Sequence, residues 1–342
     1  MSNKPPIEVP QGAIRLNTDS QRLEFFAQDR WYEMATEEAS GLGRRGFRVS
    51  GTGAGATLIE SFNITTLGNS HDTGFDLSTS RGAFGCSASR TRAVICGGNA
   101  PGVSNSNDIQ YFEMTSLSNT IDFGDLTYDA AEAGAHSNNV RLVVTGAASH
   151  ASNVINFLTV ASTGSAQDFG DQANKLSSTT ACGSPTRGLF AGGAIPSITN
   201  IIEFVTIAST GNSVDFGDLT VARYSAGSGS NNTRGLFIMG NAGSPTNQVN
   251  TIDFVTISST GNAQDFGDSN MNDTGGPTQG AGVAASPNRI VFFGGYITGG
   301  TDRTTEMEYV NPTTRGNSTR FGDLETAQNS DGNALSSSHG GL

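Results

Sequence analysis

The sequence predicts an all-β fold, a six-bladed β-propeller preceded by a small β-hairpin module, and three observations lead there. The first is recurrence. The phrase Asp-Phe-Gly-Asp, or a near copy, stands at Asp122–Asp125, Asp168–Asp171, Asp215–Asp218 and Asp265–Asp268, with a variant at Arg320–Asp323. The second is the wider unit around each copy: an Arg-led apolar run closing on a small residue, a β-branched run, a Thr-Gly-Asn type turn, then the phrase itself. Arg187-Gly-Leu-Phe-Ala-Gly-Gly193 against Arg234-Gly-Leu-Phe-Ile-Met-Gly240 is the clearest pair. The third is composition, with 45 glycines, only 15% charged residues, and neither an amphipathic helical period nor a long apolar run. A period of roughly 50 residues holding four runs of 4 to 8 residues is the signature of a propeller blade.

Register places the degenerate copies. The Arg-led strand begins at Arg45, Arg92, Arg141, Arg187, Arg234 and Arg289, and a small residue lies six positions on in each: Gly51, Gly98, Ala147, Gly193, Gly240 and Gly295. That makes six units. The next strand runs apolar, polar, then usually aromatic, as in Ile109-Gln-Tyr111, Ile155-Asn-Phe157, Ile202-Glu-Phe204, Ile252-Asp-Phe254 and Met307-Glu-Tyr309, with Ile59-Glu-Ser61 the imperfect member. In the first unit the phrase has become Gly74-Phe-Asp76. Double glycines at Gly97-Gly98, Gly192-Gly193 and Gly294-Gly295 close the second strand, which makes the blades kelch-like. Strands are lettered A to D outward from the axis. Small-residue stretches such as Ser225–Ser230 suit A, because the innermost strands crowd round a narrow channel.

A propeller joins its last blade to its first, since an open sheet edge leaves unpaired backbone groups. The first unit starts at strand B, and Asn333-Ala-Leu-Ser-Ser-Ser-His-Gly340 has the composition of an A strand. The C-terminal segment is therefore expected to close the first blade, with Leu335–Ser338 beside Gly46–Val49.

Two domains follow: residues 1–40, a leader and hairpin module, and residues 41–342, the propeller. In the module, Gly12–Asn17 and Arg22–Met34 read as a hairpin with a turn at Asp19-Ser20, a second turn near Gln28-Asp29 and a third strand. Three strands bury little apolar surface, so the module is expected to dock on something larger. Its candidate anchoring side chains are Phe25, Phe26, Trp31 (the only tryptophan) and Tyr32.

Gly12-Ala-Ile-Arg-Leu-Asn-Thr-Asp-Ser-Gln-Arg-Leu-Glu24, followed by Asp29-Arg-Trp31, resembles a short module found near the N-termini of tailed-bacteriophage virion proteins. The repeats, with phrases such as Ile207-Ala-Ser-Thr-Gly-Asn212 and Asp215-Phe-Gly-Asp-Leu-Thr220, are similar to kelch-like repeats in tail- and fibre-associated proteins of marine phages, cyanophages among them. The resemblance implies a non-enzymatic virion structural protein, tail- or fibre-associated, made in the host cytoplasm. Its module would contact other virion proteins, its propeller would meet a host surface receptor or glycan, and its copies could form a homo-oligomer in the particle. The alternatives are a capsid decoration protein, a propeller enzyme acting on glycans, and a cellular kelch adaptor. An enzyme needs acidic or histidine side chains converging on one mouth, which carboxylates locked to the repeat do not supply; an adaptor would carry a partner domain.

No catalytic residue, cofactor or metal is expected. Asp-Phe-Gly occurs in kinases once, beside a Gly-rich loop and a catalytic Asp; here it recurs. Phe123, Phe169, Phe216, Phe266 and Phe321 are read as packing between blades, and Asp125, Asp171, Asp218, Asp268 and Asp323 as accepting nearby backbone amides. Gly51-Thr-Gly-Ala-Gly55 lies between strands rather than before a helix, so it offers phosphate no helix N-terminus. His71, His136, His150 and His339 show no metal spacing and read as solvated or hydrogen-bonded loop residues. Cys86, Cys96 and Cys182 form no disulfide framework and read as small buried thiols of a chain made in a reducing compartment. The glycosylation patterns at Asn63, Asn231, Asn272 and Asn317 follow no signal peptide and are expected by chance. The recurrent arginines are expected to bind turn carbonyls. A net charge of −12 argues against nucleic acid and anionic membranes as partners, and no membrane insertion is expected. The A-to-B turns are alike, whereas the B-to-C and D-to-A loops differ between units, and loops on a rigid scaffold are where binding is placed.

Overall fold

The computed structural model describes residues 10, 12–17, 22–27, 30–33, 43–49, 57–146, 153–194, 197–243, 248–271, 278–297, 304–326 and 333–342. The chain divides into two compact units, Met1–Gly41 and Leu42–Leu342. The first holds a three-stranded antiparallel sheet of Ile14–Asn17, Arg22–Ala27 and Arg30–Glu33 in sequential order. Both turns read from the sequence, at Asp19-Ser20 and Gln28-Asp29, lie outside the described residues.

The second unit is a six-bladed β-propeller of four-stranded antiparallel blades. Blade 4 shows why each sequence type takes its place. Strand A, Thr180–Gly183, is made of small residues at the axis. Strand B, Arg187–Ala191, is buried beyond its leading arginine because both faces meet neighbouring blades, so its apolar run is continuous. Strand C, Ile201–Thr206, carries the apolar–polar–aromatic pattern, and strand D, Val214–Asp218, is the solvent-side edge where only Phe216 is buried. The core consists of apolar clusters between blades: Phe216 and Leu219 of blade 4 pack with Val255, Ile257 and Ala263 of blade 5.

The ring closes as the sequence predicts, with a shift in register. The inner strand of the first blade is Asn333–Ser336 rather than Leu335–Ser338, pairing Leu335 with Phe47 and Ser336 with Gly46. This register turns Leu335 into the cluster of Phe47, Val49, Phe84 and Phe112, and frees the residues after Ser336 to leave the sheet. Blade 6 adds a two-residue antiparallel pair, Thr278–Gln279 with Tyr296–Ile297, on the side of the D-to-A and B-to-C loops. The glycine-rich stretch Gly51–Gly55 and the variable segments 147–152, 244–247, 272–277 and 298–303 lie outside the described residues.

Candidate functional site

The repeated phrase builds the seams between blades. In blade 4, Ile202 faces Gly217 and Glu203 faces Asp215, so Phe216 is the extra residue of a β-bulge; Phe123, Phe169, Phe266 and Phe321 fall in the same gap. The bulge aims each ring inward. All five are buried, and each meets the strand C aromatic of its own blade edge-on, as Phe204 and Phe216 do at 5.9 Å. The backbone beyond the ring then clips the next blade. Between blades 3 and 4, Gly211 N donates to Phe169 O at 2.7 Å, Asp171 N to Asn212 Oδ1 at 3.0 Å, and Ser213 N to Asp171 O at 2.9 Å. Between blades 6 and 1 the same set recurs through Gly68, Asn69 and Ser70 against Phe321 and Asp323, so the ring is locked twice, inside by the closing strand and outside by this clip.

The two phrases co-occur because the backbones touch. A Cβ on Gly170 would lie 2.5 Å from the carbonyl carbon of Gly211, and both glycines sit at positive φ, 144° and 154°. One expectation is corrected here. The carboxylate that accepts an amide is the first of the phrase: Gly124, Gly170 and Gly267 donate to Asp122, Asp168 and Asp265. Asp125, Asp171, Asp218, Asp268 and Asp323 donate their backbone N–H to Ser165, Asn212, Asn262, Asn317 and Asn69, and the Asp323 carboxylate accepts from the Arg320 guanidinium rather than from an amide. The reason is that the bulge turns the first Asp back over the glycine amide, whereas the last lies flat along the seam.

Five of the six strand B arginines bind turn carbonyls, and those carbonyls belong to the next blade. Arg92, Arg141, Arg187, Arg234 and Arg289 donate to Val160, Ile207, Ile257, Pro312 and Ile64. Each guanidinium also lies over the strand C aromatic of its own blade, 4.4 to 4.9 Å from the ring centre. In blade 1 the aromatic is replaced by Ser61, which pairs with His71 Nε2 at 3.0 Å.

The polar residue of strand C has a role that the sequence pattern does not announce. Glu60, Gln110, Asn156, Glu203, Asp253 and Glu308 are all buried, one per blade. Four of them hold the chain arriving from the preceding blade, Asn156 accepting from Thr127 N, Glu203 from Asn174 N, Asp253 from Thr220 N and Glu308 from Ser269 Oγ and Asn270 N, while Glu60, Gln110 and Glu203 also accept from Ser70, Thr120 and Ser213 in the C-to-D turns of their own blades. Asp253 also pairs with the fully buried Arg223 at 2.9 Å, and Glu60 with Arg48 at 2.7 Å. Burial pulls the Arg223 guanidinium below its usual range against the opposing field of Asp253. A polar residue flanked by apolar ones signals burial, but its partner sits in the neighbouring repeat and cannot be read along one strand.

The remaining polar groups converge on the axis. One residue per blade narrows the channel to a waist: Cys86, Ala135, Ala181, Ser228, Val283 and Ala334. Above the waist, on the loop side, lies a chamber of about 220 Å³ whose lining includes Glu132, Ser178, Thr180, Tyr224, Ser225 and Gln279. Its rim is a ring of left-handed residues at the start of successive A strands: Ala83, Glu132, Ser178, Ser225 and Gly280, with φ of 53°, 54°, 55°, 48° and 70°. Backbone bonds link neighbours, Glu132 N to Ala83 O at 2.5 Å and Gly280 N to Ser225 O at 2.7 Å, while the Ser178 hydroxyl donates to Glu132. Four non-glycine residues held there indicate a rim fixed by its surroundings.

Below the waist the cavity shrinks to about 50 Å³ and the C-terminal residues close it. His339 Nε2 donates to Ala88 O at 2.7 Å and its Nδ1 accepts from Gly341 N at 3.1 Å, which fixes the neutral tautomer. A Cβ on Gly340 would come within 2.4 Å of Asn231 O, and one on Gly341 within 1.8 Å of Ser137 O, so only glycine lets the segment lie across blades 3 to 5. His136, on strand A of blade 3, meets His339 ring to ring at 5.5 Å and bonds Ser184 O. Both histidines are hydrogen-bonded, as expected, and they meet at the channel floor because the tail after Ser336 turns inward; His136 stands on a strand and not in a loop, and His150 lies outside the described residues. Burial pushes His136 down to about 3, helped by the neighbouring His339, and burial likewise lowers His339 to about 4.

The thiols are unpaired. Cys96 and Cys182 are buried and pushed up to about 12 by desolvation, whereas Cys86 faces the channel with part of its surface open. Asn63, Asn231 and Asn317 use their side-chain oxygens within turns and seams. In the N-terminal unit, Trp31 is half-buried, with Phe26 edge-on at 5.3 Å and Arg15 stacked at 4.1 Å. Phe25 and Tyr32 are register partners on its strands, and their side chains lie outside the described set. Among the described residues no cluster of three or more His, Cys, Asp or Glu could hold a metal ion.

No protein-family model matches the chain, and no curated protein matches it.

Proposed function

We propose that the chain is a non-enzymatic structural protein of a tailed-phage particle, tail- or fibre-associated, attached through its N-terminal unit and presenting the propeller as an interaction domain for a host surface receptor. The virion part rests on the resemblance of Gly12–Glu24, Asp29–Trp31 and the repeat phrases. The binding part rests on one observation: the blades are alike at the seams and unlike at the rim and loops of one face, where Ala83, Glu132, Ser178, Ser225 and Gly280 occupy the same register. Residues that fix a fold repeat with it, and residues chosen for a ligand need not.

Deleting residues 1–40 is expected to leave a soluble, cooperatively melting propeller that no longer enters particles. Trp31→Ala is expected to reduce incorporation while leaving the propeller melting temperature unchanged. Quantitative mass spectrometry of purified particles reads both. Normal occupancy of the deletion variant would place the particle contact on the propeller and overturn the attachment role, and absence of the full-length chain from particles would overturn the virion assignment.

A further inference from the structure

We propose that the upper chamber of the channel binds the terminal residue of an uncharged glycan, inserted from the loop-bearing face. The proposal rests on the reading of the propeller as an interaction domain and names its target.

Three features of the chamber select that chemistry. It is blind, because the His339–Gly341 segment lies across the far end; whatever enters must be an end group and not a threaded strand. Among the described residues its lining holds hydroxyls and amides from Ser178, Thr180, Tyr224, Ser225 and Gln279, a single carboxylate at Glu132, and no Lys or Arg. With no cation among these lining residues, a phosphate, sulfate, uronic or sialic acid would lose its hydration to them without compensation. Third, the walls are fixed rather than adaptable. The rim residues are tied blade to blade through backbone, and Glu132 is oriented by the Ser178 hydroxyl. Among the described residues the hydroxyls of Tyr224 and Ser225 have no protein partner, so they are open to a ligand hydroxyl. A site of pre-placed hydroxyls and one carboxylate acceptor matches a sugar's vicinal diol and rejects ligands lacking hydroxyls, which would leave those groups unpaired.

The experiment is a titration of the full chain, followed by NMR, with neutral hexoses, N-acetylhexosamines and neutral oligosaccharides, using galacturonic acid, sialic acid and glucosamine as charged comparators. Saturable binding of at least one neutral sugar is expected, with none of the charged ones preferred. Glu132→Gln and Tyr224→Phe should each weaken it at least tenfold, and Ala181→Leu, which fills the waist, should abolish it. Val140→Ser, on the opposite turn face, should change nothing. The proposal is overturned if no neutral sugar binds, if an acidic or amino sugar is preferred, or if binding survives Ala181→Leu with the melting transition intact. Should that variant fail to fold, Glu132→Gln and Tyr224→Phe decide the matter alone. Particles that carry the chain while no sugar binds would reject the glycan and keep the virion role; sugar binding by a chain missing from particles would do the reverse.

Discussion

The seams and the channel are built from the same six repeats and obey opposite rules. At the seams of blades 2 to 6 the phrase, the turn that receives it and the arginine behind it recur with few changes and clip the next blade through the same backbone bonds. Round the channel the six waist positions hold Cys86, Ala135, Ala181, Ser228, Val283 and Ala334, alike only in being small enough to coexist at the axis. A seam residue answers to the next blade, so its chemistry is copied with the blade. A channel residue answers only to a size limit and to whatever enters. Repetition in this chain therefore marks scaffold, and its loss marks the surface free to acquire a ligand.

Breaking the ring should have the largest effect. Removing residues 331–342 strips blade 1 of its inner strand, several hydrogen bonds at about 1 kcal/mol each and the burial of Leu335. A large fall in melting temperature by differential scanning calorimetry is expected, and an unchanged midpoint would refute the closure. At one seam, Phe216→Ala should cost about 3 to 5 kcal/mol from lost transfer energy and the cavity left behind. Asp253→Ala should cost a similar 3 to 5 kcal/mol, since Arg223 would remain buried without its counter-charge. Chemical denaturation reads both.

Acid should find the channel floor next. His136 and His339 hold folded values of about 3 and about 4, below the ordinary 6.5, so the folded state resists protonation that the unfolded chain accepts. Their contribution is complete above pH 6.5 and is lost as the pH falls from there through about 4 and then about 3. The stability difference between wild type and His136→Gln/His339→Gln should therefore shift against the wild type between pH 7 and pH 4, by at most about 1.4 kcal/mol per pH unit for each histidine. A pH-independent difference would show that the rings are solvated. The seam's smallest part, Asn262→Ala, removes one bond to Asp218 N and should cost about 1 kcal/mol. Ser225→Ala at the rim should stay within about 0.5 kcal/mol.

Most of the scaffold was legible because its signals are local. Strand B announces itself by a continuous apolar run after arginine, the bulge by Asp-Phe-Gly, and the closure by an unmatched first blade. What escaped was set across repeats. Nothing along Ile202-Glu-Phe204 tells that Glu203 holds Asn174, which sits in the stretch before the preceding A strand's start. The partner of the last phrase Asp could not be separated from that of the first, because both are two residues from a plausible amide and only the bulge decides. His339 looked like the tail of a strand, since its inward turn depends on Gly340 and Gly341 fitting against carbonyls of three other blades. The rim escaped because Ala83, Glu132 and Ser178 are ordinary residues whose left-handed backbone is imposed from outside.

Gly43 N reaches Ser337 Oγ across 294 positions of sequence. A contact that remote confers nothing until the chain between has been ordered, and ordering it is the slow entropic search that makes non-local β topologies late folders. During synthesis, blades 2 to 6 can each complete from contiguous sequence, while residues 45–76 must wait with a bare edge for a strand not yet made. The first blade to leave the ribosome is thus the last to mature. Its Phe47, Val49 and Ile59 are the apolar groups exposed longest, and they set where a chaperone, or an aggregate, would first take hold.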